Sequence, residues 1–399
     1  MTDPDPARKG GLLPDNADAR RIFGVQALRA FAYGLGSVLV GVTLARRGLS
    51  GAAVGAVVAS LLAGIALASV LIARYGDRVG RRRTYSILLV LMAASGTVFA
   101  LSSWLPALLL AALTGTVSTD VVESGPFTSL EQAMLPRTAG DTPPARLFAT
   151  YNTVATLTGS LGALAAGGPA LLHTGSTRWL LAYPIAAALA FPFALRLSSA
   201  VEEPTVAKTR GRLDQSRSVV RQLAALFALD SFGGGFVPQT FIAYLLVKKF
   251  HASTETIGVV FFGVGLLQAI SFQLAGRLAA RIGLVRTMVF SHLPSNVLLA
   301  GIAFAPNLTV AIVLLLARHL LSQMDVPVRQ ALVITVVEPE ERTAAAGYTN
   351  ATRYVARPIG SLVAGAVSGG SLGAPFAIAG AIKSVYDLAF YALFRKRLP

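Results

Sequence analysis

The sequence is dominated by a succession of apolar runs, each close to the roughly twenty residues a helix needs to cross a bilayer. Twelve such runs are predicted, at 22–44, 52–73, 84–102, 105–133, 147–172, 178–197, 218–247, 254–276, 287–305, 307–337, 343–368 and 372–394. A soluble fold keeps its apolar residues to one face of each element, and continuous runs cannot be confined to one face. A membrane barrel needs alternating polarity along its strands, which is missing. The predicted fold is an all-α integral membrane protein with twelve transmembrane helices. Composition agrees: 14% of the 399 residues are charged, where a soluble domain carries about a quarter. The fourth and tenth runs exceed what a bilayer requires, which predicts tilt or projection beyond it. Gly233, Gly234, Gly235 and Pro238 predict an interruption in the seventh.

Charge fixes an orientation. With both termini inside, the inner segments hold 24 Lys and Arg residues. The outer loops hold five: Arg46, Arg47, Arg178, Lys248 and Lys249. That bias predicts cytoplasmic termini, and it explains the net charge of +16 as topology control rather than a nucleic-acid surface. The polar N-terminus lacks the charged, apolar, small-residue order of a signal peptide and reads as a cytoplasmic tail over 1–21. Absent cysteine excludes disulfides, thiolate metal sites and cysteine nucleophiles. The acids are scattered over separate helices rather than clustered as in a metal-dependent membrane enzyme. No metal, cofactor or enzymatic activity is therefore expected.

The chain contains an internal repeat. Arg74-Tyr75-Gly76-Asp77-Arg78-Val79-Gly80-Arg81-Arg82-Arg83-Thr84 is echoed by Arg277-Leu278-Ala279-Ala280-Arg281-Ile282-Gly283-Leu284-Val285-Arg286-Thr287. Gly159-Ser160-Leu161 is echoed by Gly360-Ser361-Leu362, and Pro126 by Pro327. The offsets, 203 in the first case and 201 in the others, lie near half the chain. They predict two pseudo-symmetric six-helix bundles, 22–197 and 218–394, joined by a cytoplasmic linker at 198–217 and followed by a tail at 395–399. Duplicated bundles with a site between them are a transporter architecture.

With its twelve runs, inside termini and central linker, the whole chain resembles the major facilitator superfamily. The most specific element is the loop between the second and third runs, where the family pattern is G-x-x-x-D-R-x-G-R-R. Here Asp77, Arg78, Gly80, Arg81 and Arg82 match, and Ala73 replaces the leading glycine. Gly76 and Gly80 are expected to let the loop turn. The resemblance implies that this loop is a conformational switch. Asp77 would meet the N-terminus of helix 11 near Arg342 to Ala344 and latch the outward-open state. It also implies that helices 1, 4, 7 and 10 line a central cavity, with 2, 5, 8 and 11 beside them.

Charge at membrane depth costs about 2.5–3.5 kcal/mol per residue on insertion scales, so it faces a cavity or a partner. Gln26, Arg29, Tyr33 and Ser37 form one stripe on helix 1. Asp230 and Gln239 flank the break in helix 7; Arg318, Gln323, Asp325 and Arg329 lie on helix 10; Asn350, Arg353 and Arg357 lie on helix 11. Gln26, Arg29, Tyr33, Asp230, Gln239, Arg318, Gln323, Asn350, Arg353 and Arg357 are the candidate cavity residues. Asp120 and Glu123, on one face of helix 4, are the candidate proton-coupling acids: burial raises a carboxyl's pKa and a nearby arginine lowers it. Plain structural readings stand beside these. Asp325 would pair with Arg329, Lys383 with Asp387 one turn on, Arg29 with a helix 4 carboxylate, and Glu131 would anchor the loop arginines. His292 and His319 would serve as hydrogen-bonding groups.

The expected function is secondary active transport of a small molecule by alternating access, with protons as coupling ion. The protein would be a monomer in the bilayer of the plasma or inner membrane, and export is favoured. The alternatives are a proton-coupled importer of a small solute, an anion among the candidates, and a non-transporting sensor or scramblase on the same fold.

Overall fold

A computed structural model of the chain describes residues 16–119, 125–138, 144–202, 215–338 and 341–395. Among them all regular structure is helical. The helices are α1 (Ala17–Arg46), α2 (Gly51–Val79), α3 (Arg81–Leu101), α4 (Leu105–Leu113), α5 (Pro126–Thr138), α6 (Pro144–Ala165), α7 (Gly168–Leu171), α8 (Ala182–Leu195), α9 (Arg217–Gly235), α10 (Gln239–Phe250), α11 (Thr254–Ile282), α12 (Leu284–Ala303), α13 (Leu308–Ser322), α14 (Asp325–Val336), α15 (Arg342–Ser368) and α16 (Ala374–Phe394). A 3-10 segment, Ser176–Leu181, leads into α8.

Short polar side chains start several of these helices by accepting from otherwise unpaired N–H groups. Asn16 caps α1, Ser50 caps α2 and Ser253 caps α11. Gly80, with φ +93°, is all that separates α2 from α3, and Gly283, with φ +85°, separates α11 from α12. Such φ values favour glycine. The expectation that Gly76 also turns the chain is corrected: it lies inside α2, which continues to Val79.

Among the described residues, seven helical stretches are long and apolar enough to cross a membrane: Ala17–Arg46, Gly51–Ile72, Arg81–Leu101, Ser176–Leu195, Thr254–Ile282, Leu308–Arg329 and Ala374–Phe394. The other expected spans contain helix as well, either broken or loaded with polar side chains. The seventh breaks after Gly235 as its glycines and Pro238 suggest. The fourth and tenth are not long tilted rods. In the fourth, α4 ends at Leu113 and residues 114–119 are non-helical, with α5 running over Pro126–Thr138, and the tenth is interrupted between Ser322 and Asp325.

Unwound backbone at membrane depth survives only if its polar groups find partners. In the fourth span Tyr33 donates to the carbonyl of Thr116 (2.9 Å) and Tyr183 to that of Ser118 (2.8 Å). Gly115, at φ +69°, packs directly on the backbone of Gly64 in α2.

The repeat reappears as paired helix crossings. A Cβ on Gly34 of α1 would overlap the carbonyl of Gly159 in α6, and one on Gly162 would overlap the carbonyl of Phe31. In the second half a Cβ on Gly235 would overlap the carbonyl of Arg357 in α15, and one on Gly360 the carbonyl of Phe232. Gly34 and Gly235, Gly159 and Gly360, and Phe31 and Phe232 are related by the offset of 201 already present in the sequence. Ser361 seals the second crossing by donating to the Gly235 carbonyl at 2.5 Å.

Close packing between the halves gathers at the end where α1 finishes and α2 begins. Gly41 of α1 lies on Thr240 and Ala243 of α10, Gly51 and Gly55 of α2 on Ser361, Gly365 and Ser368 of α15, and Gly258 of α11 on Ala163 and Leu164 of α6. Arg46 donates to Thr254 (2.7 Å), and Tyr244 to the carbonyl of Leu49 (3.3 Å).

Candidate functional site

Below that closed end, between the halves, lies a polar cavity of about 30 Å³, room for about one or two waters. Gly34 and Ser37 of α1, Thr156, Gly159 and Ser160 of α6, Gln239 of α10, and Gly265 and Gln268 of α11 form most of its wall. Ser37 and Ser160 spend their hydroxyl hydrogens within their own helices, on Gly34 and Thr156. The two glutamine amides are thus left as the main donors into the cavity.

Among the described residues, most of the buried charges fall into two clusters, one in each half. In the first, Arg29 of α1 donates to Glu131 of α5 at 2.6 Å. Tyr85 of α3 donates to the other carboxylate oxygen at 2.6 Å, and Tyr151 of α6 also donates to Glu131. Gln26 donates to the carbonyl of Tyr151 at 3.1 Å. The guanidinium of Arg29 lies over the rings of Phe127 and Tyr33, at 4.9 and 5.2 Å. Glu131 is wholly buried, so its charge rests on these three donors. That is the condition under which a buried pair persists.

In the second cluster Asp230 of α9 accepts from Lys383 of α16, with Arg329 of α14 at 3.6 Å and His292 of α12 at 4.0 Å. Arg329 also donates to Asp325 at 2.8 Å. The Nδ1 of His292 faces both oxygens of Asp387, at 3.0 and 3.1 Å, and Asn296 donates to the same carboxylate at 2.7 Å. Arg318 and Arg353 lie within electrostatic reach of Asp230 without forming an ion pair to any described residue, and each leaves its Nε without a hydrogen-bond partner among them. Arg318 is 7% exposed.

The two clusters obey the same repeat as the backbone, with charge inverted. Arg29 and Asp230 are related by the offset of 201. Each sits on the first helix of its half, five residues before the glycine at which that helix is crossed, Gly34 in α1 and Gly235 in α9.

The family model described as Major Facilitator Superfamily matches the chain in two stretches, 22–236 and 223–399. The chain belongs to the Major Facilitator Superfamily. A yeast (Saccharomyces cerevisiae) relative, the uncharacterized membrane protein YJR124C, is 26% identical over 94% of each chain. Among solved structures the chain is similar to the nucleoside transporter NupG, with a TM-score of 0.75, 16% identity, and 95% and 99% of the two chains covered. It is also similar to a D-xylose–proton symporter, with a TM-score of 0.69, 16% identity, and 93% and 97% covered. A bacterial homologue of the human lysosomal transporter Spinster, inward-facing and occupied, gives 0.72, with 15% identity and 94% and 96% covered. At these identities the likeness is one of fold. The fold is that of a superfamily transporter.

Within that fold the signature loop is held by its own half. Arg81 is buried and donates to the carbonyls of Ala133 (3.1 Å) and Val201 (3.3 Å). Glu202 accepts from the backbone N–H groups of Arg81 (2.7 Å) and Arg82 (3.2 Å), a carboxylate at the start of α3 where the helix dipole favours it. Arg82 reaches the carbonyl of Leu195 at 3.4 Å, and Arg78 is exposed. The side chains of Asp77 and of Arg342 to Ala344 lie outside the described residues, as do Asp120 and Glu123 altogether.

Several side-chain expectations need correction. Glu131 does not anchor the loop arginines; it is enclosed by Arg29, Tyr85 and Tyr151. Lys383 and Asp387 do not pair with each other. They share the face of α16 that packs on α9 and α12, where Asp230 and His292 offer partners in other helices. The fourth run is not one helix through Asp120 and Glu123, because residues 114–119 are non-helical. Of the cavity candidates, Gln239 lines the cavity. Gln26, Arg29 and Tyr33 are engaged inside the first half. Gln323 is half-buried at the break of the tenth span, Arg353 and Arg357 are half-buried, and Asn350 is exposed. The pairing of Asp325 with Arg329, and of Arg29 with a helix 4 carboxylate, is present as expected. Gln268, Tyr85, Tyr151 and Asn296 were not singled out by sequence. The tyrosines meet Glu131 from two other helices, and no local pattern marks them.

Proposed function

We propose that this superfamily member is a secondary active transporter of a small molecule, working by alternating access and exporting its substrate in exchange for protons. The observation that carries this reading is the asymmetry of packing between the halves. Glycine-mediated contacts seal one end over a polar cavity, as expected of one state of a rocking pair of bundles. With both termini cytoplasmic, as the distribution of Lys and Arg favours, the sealed end faces outward and the state is inward-facing. Twelve spans, a monomer and the plasma or inner membrane complete the proposal. Asp77 would act in the opposite, outward-open state, in which the inner ends of the halves meet.

Import of a small anion is the second reading. Arg318 and Arg353, buried or half-buried without an ion pair to a described residue, favour it.

The test is a solute screen in proteoliposomes, covering nucleosides, pentoses and organic anions, with and without a pH gradient. Export by exchange is supported if an outward-to-inward proton gradient drives a solute in the opposite direction. Movement with the protons establishes import instead. Neutralising whichever of these acids carries the coupled proton, by Asp120→Asn or Glu123→Gln, is expected to abolish gradient-driven movement while leaving exchange at equal concentrations intact, because exchange needs no net proton transfer. Undiminished gradient-driven transport in both variants removes these acids as the coupling site.

A further inference from the structure

We propose that the second half contains a built proton-binding site, the Nε2 of His292, and that the proton it takes competes with Lys383 for one carboxylate oxygen of Asp230. The proposal rests on the proton-coupled reading above and gives it a location apart from Asp120 and Glu123.

The geometry assigns the two ring nitrogens different tasks. Nδ1 faces the carboxylate of Asp387 at 3.0 and 3.1 Å. Asp387 is wholly buried and takes a further hydrogen bond from Asn296. An ionised carboxylate accepts only, and the Asn296 amide, 3.2 Å from Nδ1, is turned to Asp387 by its shorter bond, so with Asp387 ionised Nδ1 carries a hydrogen toward it. That fixes the tautomer and leaves Nε2 with a lone pair. Nε2 lies 4.0 Å from Oδ1 of Asp230, beyond hydrogen-bond distance, and Oδ1 is also the atom to which Lys383 donates. A proton arriving on Nε2 places a second positive charge beside an oxygen already in use, and a small shift of the ring toward Asp230 would make it a second donor there.

The groups in direct ion-pair contact favour the arrival, whereas Arg318 and Arg353, two further positive charges within electrostatic reach, oppose it. Among the described residues, the groups in ion-pair contact are three carboxylates, Asp230, Asp325 and Asp387, and two permanent cations, Lys383 and Arg329. One proton on His292 makes this set neutral. Other groups face it from the neighbouring helices. Arg318 and His319 come from α13 and Arg353 from α15, and Tyr386 lies edge-on to the His292 ring at 6.0 Å. The arginines of α11, Arg277 and Arg281, are exposed. His319 is turned away from this role, its Nδ1 held by the carbonyl of Leu315 at 2.7 Å.

The consequence reaches the sealed end. Lys383 and Asp387 lie one turn apart on α16. Once imidazolium satisfies Asp230, the ammonium is free to swing toward Asp387, four residues along the same face. Asp230 sits three residues before Gly233, where α9 approaches its end, and α10 beyond that joint carries Thr240 against Gly41 of α1. Exchange of partner at Asp230 therefore bears on the joint that closes the cavity. Proton occupancy and access to the cavity become linked through one oxygen atom.

The experiment uses the full chain in lipid nanodiscs, with histidines labelled on the ring nitrogens, and follows their NMR signals between about pH 5 and 9. His292→Gln identifies the His292 signals among the four histidines. The expected result is that Nε2 of His292 gains and loses a proton in this range while Nδ1 stays protonated throughout. Asp230→Asn is expected to move the midpoint by at least about one pH unit, the scale of a neighbouring charge. Asp230→Glu, which keeps the charge should the first variant fold poorly, is expected to move it less. A Nε2 that never changes state over the range overturns the proposal, as does a midpoint indifferent to the charge at residue 230. No transported solute is needed. A pH-independent transport assay would therefore sink the proton-coupled reading and leave this site standing, and a silent His292 would do the reverse.

Discussion

At the scale of single residues, the first half is organised around a buried carboxylate with three donors and a buried guanidinium between two aromatic faces. Glu131 and Arg29 are held in a low-dielectric setting where neither survives alone. Glu131→Gln leaves Arg29 uncompensated and is expected to lower stability by about 3–5 kcal/mol. Tyr85→Phe removes one hydrogen bond of 2.6 Å and is expected to lower it by about 1.5–3 kcal/mol, the range for a bond to a charged group. Thermal unfolding in detergent measures both, and equal effects of the two substitutions would contradict the central place given to the ion pair. The stripe of Gln26, Arg29 and Tyr33 was legible in the sequence because helical spacing places them on one face. Their partners were not, because Glu131, Tyr85 and Tyr151 are brought in by three separate helices. Lys383 and Asp387 show the converse hazard. Their spacing of four suggests mutual pairing, but tertiary packing offered each a buried partner on another helix.

At the scale of elements, paired glycines set how closely helices cross. α1 meets α6 at Gly34 and Gly159, and α9 meets α15 at Gly235 and Gly360, each with no room for a methyl group. Alanine at Gly34 or Gly235 is expected to cost about 1–3 kcal/mol through overpacking against backbone, which cannot swing aside. Alanine at Gly175, whose added Cβ would meet nothing within 4 Å, is expected to stay within about 0.5 kcal/mol of the parent. Melting temperatures of the three variants are the measure, and a Gly34→Ala protein as stable as Gly175→Ala would mean the helices do not cross as described. The repeat of Gly159-Ser160-Leu161 as Gly360-Ser361-Leu362 foreshadowed these crossings in sequence, and the offset of 201 links their other members too. The break in the seventh span was equally visible, announced by three glycines and a proline. The break in the fourth was hidden. Its residues from Leu113 to Thr119 include no proline, and the tyrosines that satisfy its free carbonyls, Tyr33 and Tyr183, are remote in the chain.

At the scale of the whole molecule, twelve apolar runs, a duplicated half and a signature loop made the superfamily legible before any coordinates. The side on which the halves close was not, since it depends on which of two packings the same interfaces adopt. Orientation is open to single-cysteine labelling, because the chain has no cysteine of its own. Gly175→Cys is expected to react with a membrane-impermeant maleimide from outside, and Gly211→Cys from inside; the reverse pattern would invert the topology. Closure has a more direct test. A Cβ on Gly51 would lie 3.3 Å from the Cβ of Ser368, within a few tenths of an ångström of the separation a disulfide spans. Gly51→Cys with Ser368→Cys should therefore cross-link on oxidation and pin α2 to α15 at the sealed end. The decisive measurement is proteoliposome transport, before and after reduction, of the solute identified by screening. Transport lost on cross-linking and restored by reductant is the expected result. Unchanged transport by a fully cross-linked protein would contradict alternating access through this end.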